Sequence, residues 1–545
     1  MLVDVLQRLF CAISVVLGML LLSRKCLHYF QLESYQFQGY FRTIVRQWKY
    51  ALLPGVVSAA GCFLIWRLEN LLESMIAAPA LKIVISLAAA ALVVLECWAV
   101  ARRFGKQKEK KSFVITARVK RLYMLFIFVL ILMQIFVWGI TGNQIGESVR
   151  LQGLLNLWLF LLLPLFVALS GVLALPIEKT IFQLYFHDAE KKLLENDKLI
   201  RIGITGSYGK TSTKFILNTI LSQKFNVLAT PASFNTPMGV TRIVRERLSP
   251  SHQVFIGEMG ARHVGEIKEL AKLVHPTIGI LTAVGPQHLD TFRTIERIEK
   301  TKYELIDALP DDGFAVFLHD DAIVTKLHGK TEKPKALVGT EKGDVWAENV
   351  HVSPEGSHFD LCVKGWEKIS CTTQLLGEHN IKNILMACAV AKHLGLNREQ
   401  VARGIQALRP VEHRLQLLRS AGGITVIDDA FNTNPRSSKE ALKVLSTFPG
   451  RRIIVTPGMV ELGADEDKYN YEFGLAMAEA VDIAVLVGKK HTLPIQKGLK
   501  EKGFPEENIH AVASLDEALA FNRENLRPGD VVMYENDLPD HYSEG

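Results

Sequence analysis

Four stretches ahead of residue 180 hold no charged side chain, at 9–23, 50–66, 122–145 and 151–177, and a fifth, 83–95, runs on past Glu96 to residue 101. About 20 helical residues cross a bilayer's hydrocarbon, so runs of this kind belong either in a membrane or at the centre of a large core. The pattern predicts five transmembrane helices; for the shorter runs a buried core helix is the competing reading. Lysine and arginine collect on the cytoplasmic side of a membrane, so the charge between the runs orients them. Residues 24–49 carry five basic and one acidic side chain and residues 102–121 nine basic and one acidic, whereas residues 67–79 carry one basic and two acidic. The short loop around Glu147 and Arg150 is balanced. An external N-terminus follows, with everything after Pro176 in the cytoplasm, where ATP is. The expectation is a multi-pass protein of the cell membrane.

Asp4 and Arg8 ahead of the first run, with further apolar runs behind it, argue against a cleaved signal peptide. The net charge of +7 owes much to the two basic loops and points to membrane lipid, not nucleic acid. Cys11, Cys26, Cys62 and Cys97 fall in or beside the apolar runs, and Cys362, Cys371 and Cys388 form no C-x-x-C pair. Neither a disulfide framework nor a zinc ribbon is indicated.

After residue 189 short β-branched runs alternate with amphipathic helical stretches, the texture of a mostly parallel sheet covered by helices. Strands are expected at 199–205, 254–256 and 278–282, then at 425–427, 453–455, 483–487 and 531–534, with a β-rich insertion at 345–373. The fold expected is an α-helical membrane domain (1–180), a link (181–197), then α/β: a P-loop parallel-sheet ATPase domain (198–415) and a Rossmann-like C-terminal domain (416–545).

The first soluble strand runs into "GITGSYGKTST", residues 203–213. A strict P-loop places a glycine where this chain has Ile204, so the match is to a shorter G-x-x-G-K-T-S loop: Gly206, Ser207, Tyr208, Gly209, Lys210, Thr211, Ser212. Glycines let backbone N–H groups close on phosphate, the helix start presents a positive dipole end, Lys210 adds charge, and the hydroxyl of Thr211 or Ser212 can reach Mg²⁺. An ordinary strand-to-helix turn is the competing reading.

Downstream, "SFNTPMGV" (233–240), "GEMGARHVGEI" (257–267), "AVGPQHLDTF" (283–292), "GEHNIKN" (377–383), "EHRLQ" (412–416) and "DDAFNTNPRS" (428–437) follow in that order. With the phosphate loop they resemble the Mur ligases over about residues 197–545, most of all the branch that adds D-alanyl-D-alanine to the UDP-MurNAc-tripeptide. The resemblance implies an ATP-dependent ligase that joins an amino acid or dipeptide to the carboxylate of a cell-wall precursor through an acyl phosphate. It implies that Lys210 meets the γ-phosphate, that Thr211, Glu258 and His288 surround Mg²⁺, and that Lys302 is carbamylated by CO₂ into a further metal ligand. It also implies that Asn380 contacts adenine, that Arg414 and Asp429 bring the C-terminal domain onto the ATP phosphates and ribose, and that Asn235 and Thr236 face the acyl substrate. Read alone, Glu258 is a solvated strand end, His288 a hydrogen-bonded loop histidine, Lys302 a solvated helix face, Asn380 a capping residue and Asn235-Thr236 a turn.

Three departures stand out. Apolar runs occupy the place of the family's UDP-sugar-binding domain, the usual HR-x-E reads "HRLQ" with Gln416, and "GDVVMYENDLPDHY" replaces a glycine-serine-arginine element. The precursor is therefore left open as nucleotide- or lipid-linked. A membrane-bound poly-γ-glutamate or capsule-type polymerising ligase is the second reading, and a nucleotide-gated membrane scaffold the non-enzymatic one.

Overall fold

The structure, a computed structural model, describes residues 2–105, 112–141, 148–232, 234–319, 321–340, 343–419, 422–431 and 433–537. Parts of the second basic loop (106–111) and of the loop around Glu147 (142–147), with Ser233, Asn432 and the end of the C-terminal departure, thus lie outside the described residues. The chain divides into two compact units, one ending at Ile181 and one beginning at Phe182.

The first unit is helical: α1 (Leu2–Leu32), α2 (Phe37–Arg46), α3 (Trp48–Ala51), α4 (Leu53–Ser74), α5 (Pro79–Phe104), α6 (Ala117–Thr141), α7 (Ser148–Leu161) and the start of α8 (Leu163–Leu194). Five stretches are long and apolar enough to cross a membrane: Leu2–Leu32, Trp48–Ser74, Pro79–Phe104, Ala117–Thr141 and Leu163–Leu194. The run expected as one span at 151–177 is instead two helices. Pro164 has no N–H to give the Phe160 carbonyl, and the helix breaks at Leu162, whereas α8 carries Pro176 in its interior without breaking. The Phe160 carbonyl faces Gly55 of α4, where a Cβ would lie 2.4 Å from the oxygen. Several buried polar side chains of the unit pair with one another, while others, Ser58 and Glu96 Oε2 among them, find no hydrogen bond of ordinary geometry. Arg8, 6% exposed, donates to Gln152 Oε1 at 2.9 Å and to the Trp138 carbonyl at 2.9 Å, and Gln134 donates to Asn156 Oδ1 at 3.0 Å.

α8 continues through the segment expected as a link and ends only at Leu194. Its Phe186, Ala189 and Leu193 join the core of the second unit, which explains why an unbroken helix is stable there.

The second unit holds two sheets. β1 (Ile200–Thr205), β2 (Val227–Ala229), β3 (Val254–Glu258), β4 (Ile278–Leu281), β5 (Phe314–Leu318), β6 (Lys335–Gly339), β7 (Val345–Ser353), β8 (Gly356–Val363) and β9 (Ile369–Thr373) form the first, in the order β2-β3-β1-β4-β5-β6-β7-β8-β9. It is parallel up to β7; β8 and β9 are antiparallel, the insertion expected at 345–373. β1 lies between β3 and β4, so the chain winds to one side and then the other from β1. The crevice beyond its carboxyl end is where such sheets bind ligands. The glycine loop leaves β1 there and turns into α9 (Lys210–Leu221).

β10 (Gln416–Arg419), β11 (Thr425–Asp429), β12 (Arg452–Thr456), β13 (Ile483–Val487), β14 (Ile509–Val512) and β15 (Val531–Glu535) form the second sheet, ordered β10-β11-β15-β12-β13-β14 and parallel except for β10. Strands buried on both faces read as continuous apolar runs, which is why the principal ones were legible in sequence.

Two glycines separate packing from propensity. A Cβ at Gly474, in helix Glu466–Ala480, would stand 2.2 Å from the Ile495 carbonyl oxygen of the neighbouring helix, whereas at Gly329, in helix Ala322–Lys330, it would meet nothing within 4 Å. Gly474→Ala should destabilise by about 1–3 kcal/mol, and Gly329→Ala should be neutral or stabilise by up to about 1 kcal/mol. Urea unfolding of the detergent-purified chain measures both.

Candidate active site

The loop after β1 is shaped by what its glycines leave out. Gly206 has φ +147°, and a Cβ there would lie 2.0 Å from Thr282 Oγ1; at Gly209, φ +79°, it would lie 2.8 Å from Asn383 Oδ1. Ser207 Oγ donates to the Gly285 carbonyl at 2.9 Å and accepts from Gly285 N at 3.1 Å, tying the loop to the segment after β4. Lys210 Nζ bends back over the Gly206 carbonyl at 2.7 Å and the Ser207 carbonyl at 3.1 Å. The N–H groups that open α9 have no acceptor within the helix, and with Lys210 they make a cradle for an anion. Burial pushes the Lys210 ammonium down to about 8, which Glu258 counters in part. Ser212, half-buried at the start of α9, stands on the same cradle.

Glu258 closes β3 and is no solvated strand end: its side chain is 1% exposed. Lys214 Nζ, 0% exposed, bonds Oε2 at 2.8 Å, while Thr211 Oγ1 and Asn235 Nδ2 donate to Oε1 at 3.2 and 3.0 Å. Burial alone would raise this carboxyl, but Lys214 and Lys210 outweigh it and hold it below its ordinary range. Asn235 is thus a structural partner of Glu258, and the exposed Thr236 accepts from Gly239 N at 3.2 Å, capping helix Pro237–Arg247. The turn reading of that pair accounts for these contacts.

Lys302, on helix Ile295–Asp307, is 2% exposed and so is not part of a solvated face. Its Nζ makes no hydrogen bond among the described residues and stands 5.9 Å from the Phe292 ring centroid. Burial, and then Lys210's charge, press its pKa well below that of a free lysine. His288 follows β4 in the left-handed region (φ 52°) and pairs through Nδ1 with Glu461 Oε2 at 2.8 Å; burial depresses its pKa. Arg262 reaches the same Glu461 at 3.2 Å.

From the C-terminal side, Arg414 lies 3.5 Å from Thr211 Oγ1 and 4.5 Å from the Phe431 ring centroid. Asp429 accepts from Leu415 N at 3.1 Å, and burial raises its carboxyl to about 7. Asn380 is one step removed: its Nδ2 donates to the Leu376 carbonyl at 2.9 Å and its Oδ1 accepts from Asn383, which meets the cradle through Thr213 at 3.1 Å.

Lys210, Thr211, Glu258, Asn235 and Arg414 are therefore gathered at the start of α9, Lys302 and His288 feel the charge of Lys210, and Asn380 and Asp429 stand behind Asn383 and Arg414. Sequence reasoning missed Lys214, Asn383 and Glu461. The lysine four residues after Lys210 is one helical turn along the same face, and that spacing was the available signal. The "HRLQ" departure is absorbed locally, Gln416 Oε1 accepting from His413 N at 3.4 Å. Within the C-terminal departure, Glu535 accepts from Thr433 at 3.2 Å and Thr456 at 3.3 Å, burial raising its carboxyl to about 8.

A hydroxyl and a carboxylate oxygen side by side suit Mg²⁺, which takes oxygen ligands and keeps several waters. Thr211 Oγ1 and Glu258 Oε1 offer such a pair.

Comparison with known proteins places the chain by family and fold. Residues 204–391 match the Mur ligase middle domain and 413–534 the Mur ligase glutamate ligase domain. A UDP-N-acetylmuramoyl-tripeptide–D-alanyl-D-alanine ligase of Mycobacterium bovis is 36% identical over 354 residues, covering 61% of this chain and 69% of its own. MurF from Acinetobacter baumannii superposes with a TM-score of 0.61 at 26% identity, over 66% of this chain and 78% of that one. MurF of Thermotoga maritima, solved with ADP, shares the fold at a TM-score of 0.59 and 23% identity, over 65% and 80%.

Removing one partner of the Lys214–Glu258 pair strands a buried charge. Lys214→Met should cost about 3–5 kcal/mol, and Lys214→Met with Glu258→Leu should recover most of it, because a matched apolar pair carries no such penalty. Thermal and urea unfolding of the two variants compare the costs.

Proposed function

Because this chain belongs to the Mur ligase family and its ligase half is MurF-like, we propose that it is a membrane-anchored, ATP-dependent amide ligase whose ligase domains work in the cytoplasm. The observation that carries the reading is the convergence of Lys210, Thr211, Glu258 and Arg414, from two domains, on the start of α9. The match to MurF relatives favours a dipeptide, D-alanyl-D-alanine, as the incoming amine, and a UDP-MurNAc-tripeptide as the acyl partner. The apolar helices ahead of the ligase half favour a lipid-linked form of that precursor as the alternative, with membrane lipid as a standing contact.

The reaction needs three anionic groups brought together. The substrate carboxylate oxygen attacks the γ-phosphorus of ATP, the bond to the β-bridging oxygen breaks, and ADP leaves. The amine nitrogen then attacks the acyl carbon, phosphate departs with the carbon–oxygen electron pair, and the nitrogen gives up its proton. Mg²⁺, when bound, would be held by Thr211 and Glu258, with His288 as the further contact the family resemblance implies, and would supply charge neutralisation at the phosphates. Gly206, Ser207, Gly209 and Ser212 line the phosphate cradle, and Lys210 turns from the loop carbonyls to the γ-phosphoryl oxygens, where fixed positive charge favours the transition state. Arg414 closes from the C-terminal side, with Asp429 holding its loop; Asn380 frames the adenine side, and Asn235 with Thr236 bounds the acyl side. A buried lysine without an anionic hydrogen-bond partner is disposed to be neutral, the form that adds CO₂. Carbamylation would turn Lys302 into an anionic oxygen donor that a bound magnesium could take.

Detergent-purified protein with ATP, Mg²⁺, UDP-MurNAc-tripeptide and D-alanyl-D-alanine should yield ADP, phosphate and the ligated product by mass spectrometry. A lipid-linked acceptor and L-glutamate run in parallel distinguish the other substrates. Lys210→Ala should stay folded and lose activity by at least about 10²-fold, as loss of a transition-state charge contact does; undiminished product formation by that variant would refute the assignment.

Stripping CO₂ should lower activity and bicarbonate should restore it. Lys302→Ala should be nearly inactive and partly rescued by acetate. Full activity in Lys302→Ala ends the carbamate assignment.

A further inference from the structure

The helical unit contains a cluster that the ligase chemistry does not use. Cys62 on α4 and Glu96 and Cys97 on α5 bring two sulfurs and a carboxylate oxygen within 4.8 Å of one another. Both cysteines are 0% exposed, and both are free thiols. Glu96 Oε2 and the hydroxyl of Ser58, one helical turn before Cys62 on α4, are both buried and lack a hydrogen bond of ordinary geometry, although Ser58 and Cys97 lie against the Glu96 carboxyl. Two glycines make room for the group: a Cβ at Gly18 would sit 2.6 Å from Cys97 Sγ, and a Cβ at Gly61 2.9 Å from Glu96 Cδ.

Apolar surroundings make a carboxyl oxygen without a partner costly. The same arrangement with a cation in it is satisfied. We propose that Cys62, Cys97 and Glu96 form a binding site for a thiophilic divalent cation, Zn²⁺, that fastens α4 to α5. Sulfur donors exclude Mg²⁺ and Ca²⁺, and a carboxylate beside two thiolates suits Zn²⁺ better than Cu⁺. Two thiolates cancel the charge of the ion, Glu96 adds an oxygen donor, and Ser58 offers a fourth. Binding releases the two thiol protons to water and changes no oxidation state. With both cysteines fully buried the site is closed, so its role is structural. Spacing in the sequence gave no sign of it, because 34 positions separate Cys62 from Glu96 and no C-x-x-C pair is present.

Full-length, tag-free protein in detergent, loaded with Zn²⁺ and desalted, should retain about one zinc per chain by elemental analysis. Cys62→Ser and Cys97→Ser should each weaken retention by roughly tenfold or more, and Cys371→Ser, outside the cluster, should leave it unchanged. Co²⁺-loaded wild type should show thiolate-to-cobalt charge-transfer absorption, a readout that needs no variant to fold. No such absorption, zinc retained undiminished in the Cys62→Ser/Cys97→Ser double variant, or a Cys62–Cys97 disulfide in protein alkylated directly from cells would each overturn the proposal.

Discussion

A single buried carboxylate organises the ligase half. Glu258 ends β3, between β2 and β1 in the first sheet, with its charge out of water, and a charge so placed has to be matched on every side. Lys214 from α9, Thr211 from the same helix and Asn235 from the turn after β2 supply the matches. Each partner comes from a segment that borders the glycine loop after β1: helix α9, and the turn after β2. Because the penalty for losing a partner far exceeds the net gain from any one bond, the cradle is held by what would go wrong without it.

Much of this half could be read from the chain. Parallel strands covered on both faces write themselves as apolar runs, and the glycine loop carries its own signature in Gly206, Gly209 and Lys210. What could not be read has one physical cause, namely pairing over long separations. Nothing around Glu461 marks it as the partner of His288, 173 positions earlier. Asn383 sits in an ordinary helix, and only the fold sets it against Gly209 and Thr213. Lys302 was ambiguous because an amphipathic helix places lysines on its outer face by default, and burial is decided by the packing of Phe292 and its neighbours. Short strands such as β2, with 3 residues, carry too little pattern to stand out.

In the helical half hydropathy found the apolar stretches but not where they break. Pro164 lies in an uninterrupted apolar run, so composition is silent there, and a proline does not by itself mark the break, since α8 carries Pro176 without breaking. α8 runs the other way: it crosses the apolar-to-charged change at residue 178 without stopping, since Phe186, Ala189 and Leu193 find a core to enter.

The contacts described between the central and C-terminal domains are mainly charged: Arg262 and His288 with Glu461, Arg436 with Asp321, and Arg414 with Thr211. Apolar contact there includes Leu376, which joins the C-terminal core, and Val444, which packs against Gly377. Any parting of these two domains would break charged contacts, and would therefore respond to ionic strength. The two domains keep separate hydrophobic cores, so a change in one core need not disturb the charged seam between them.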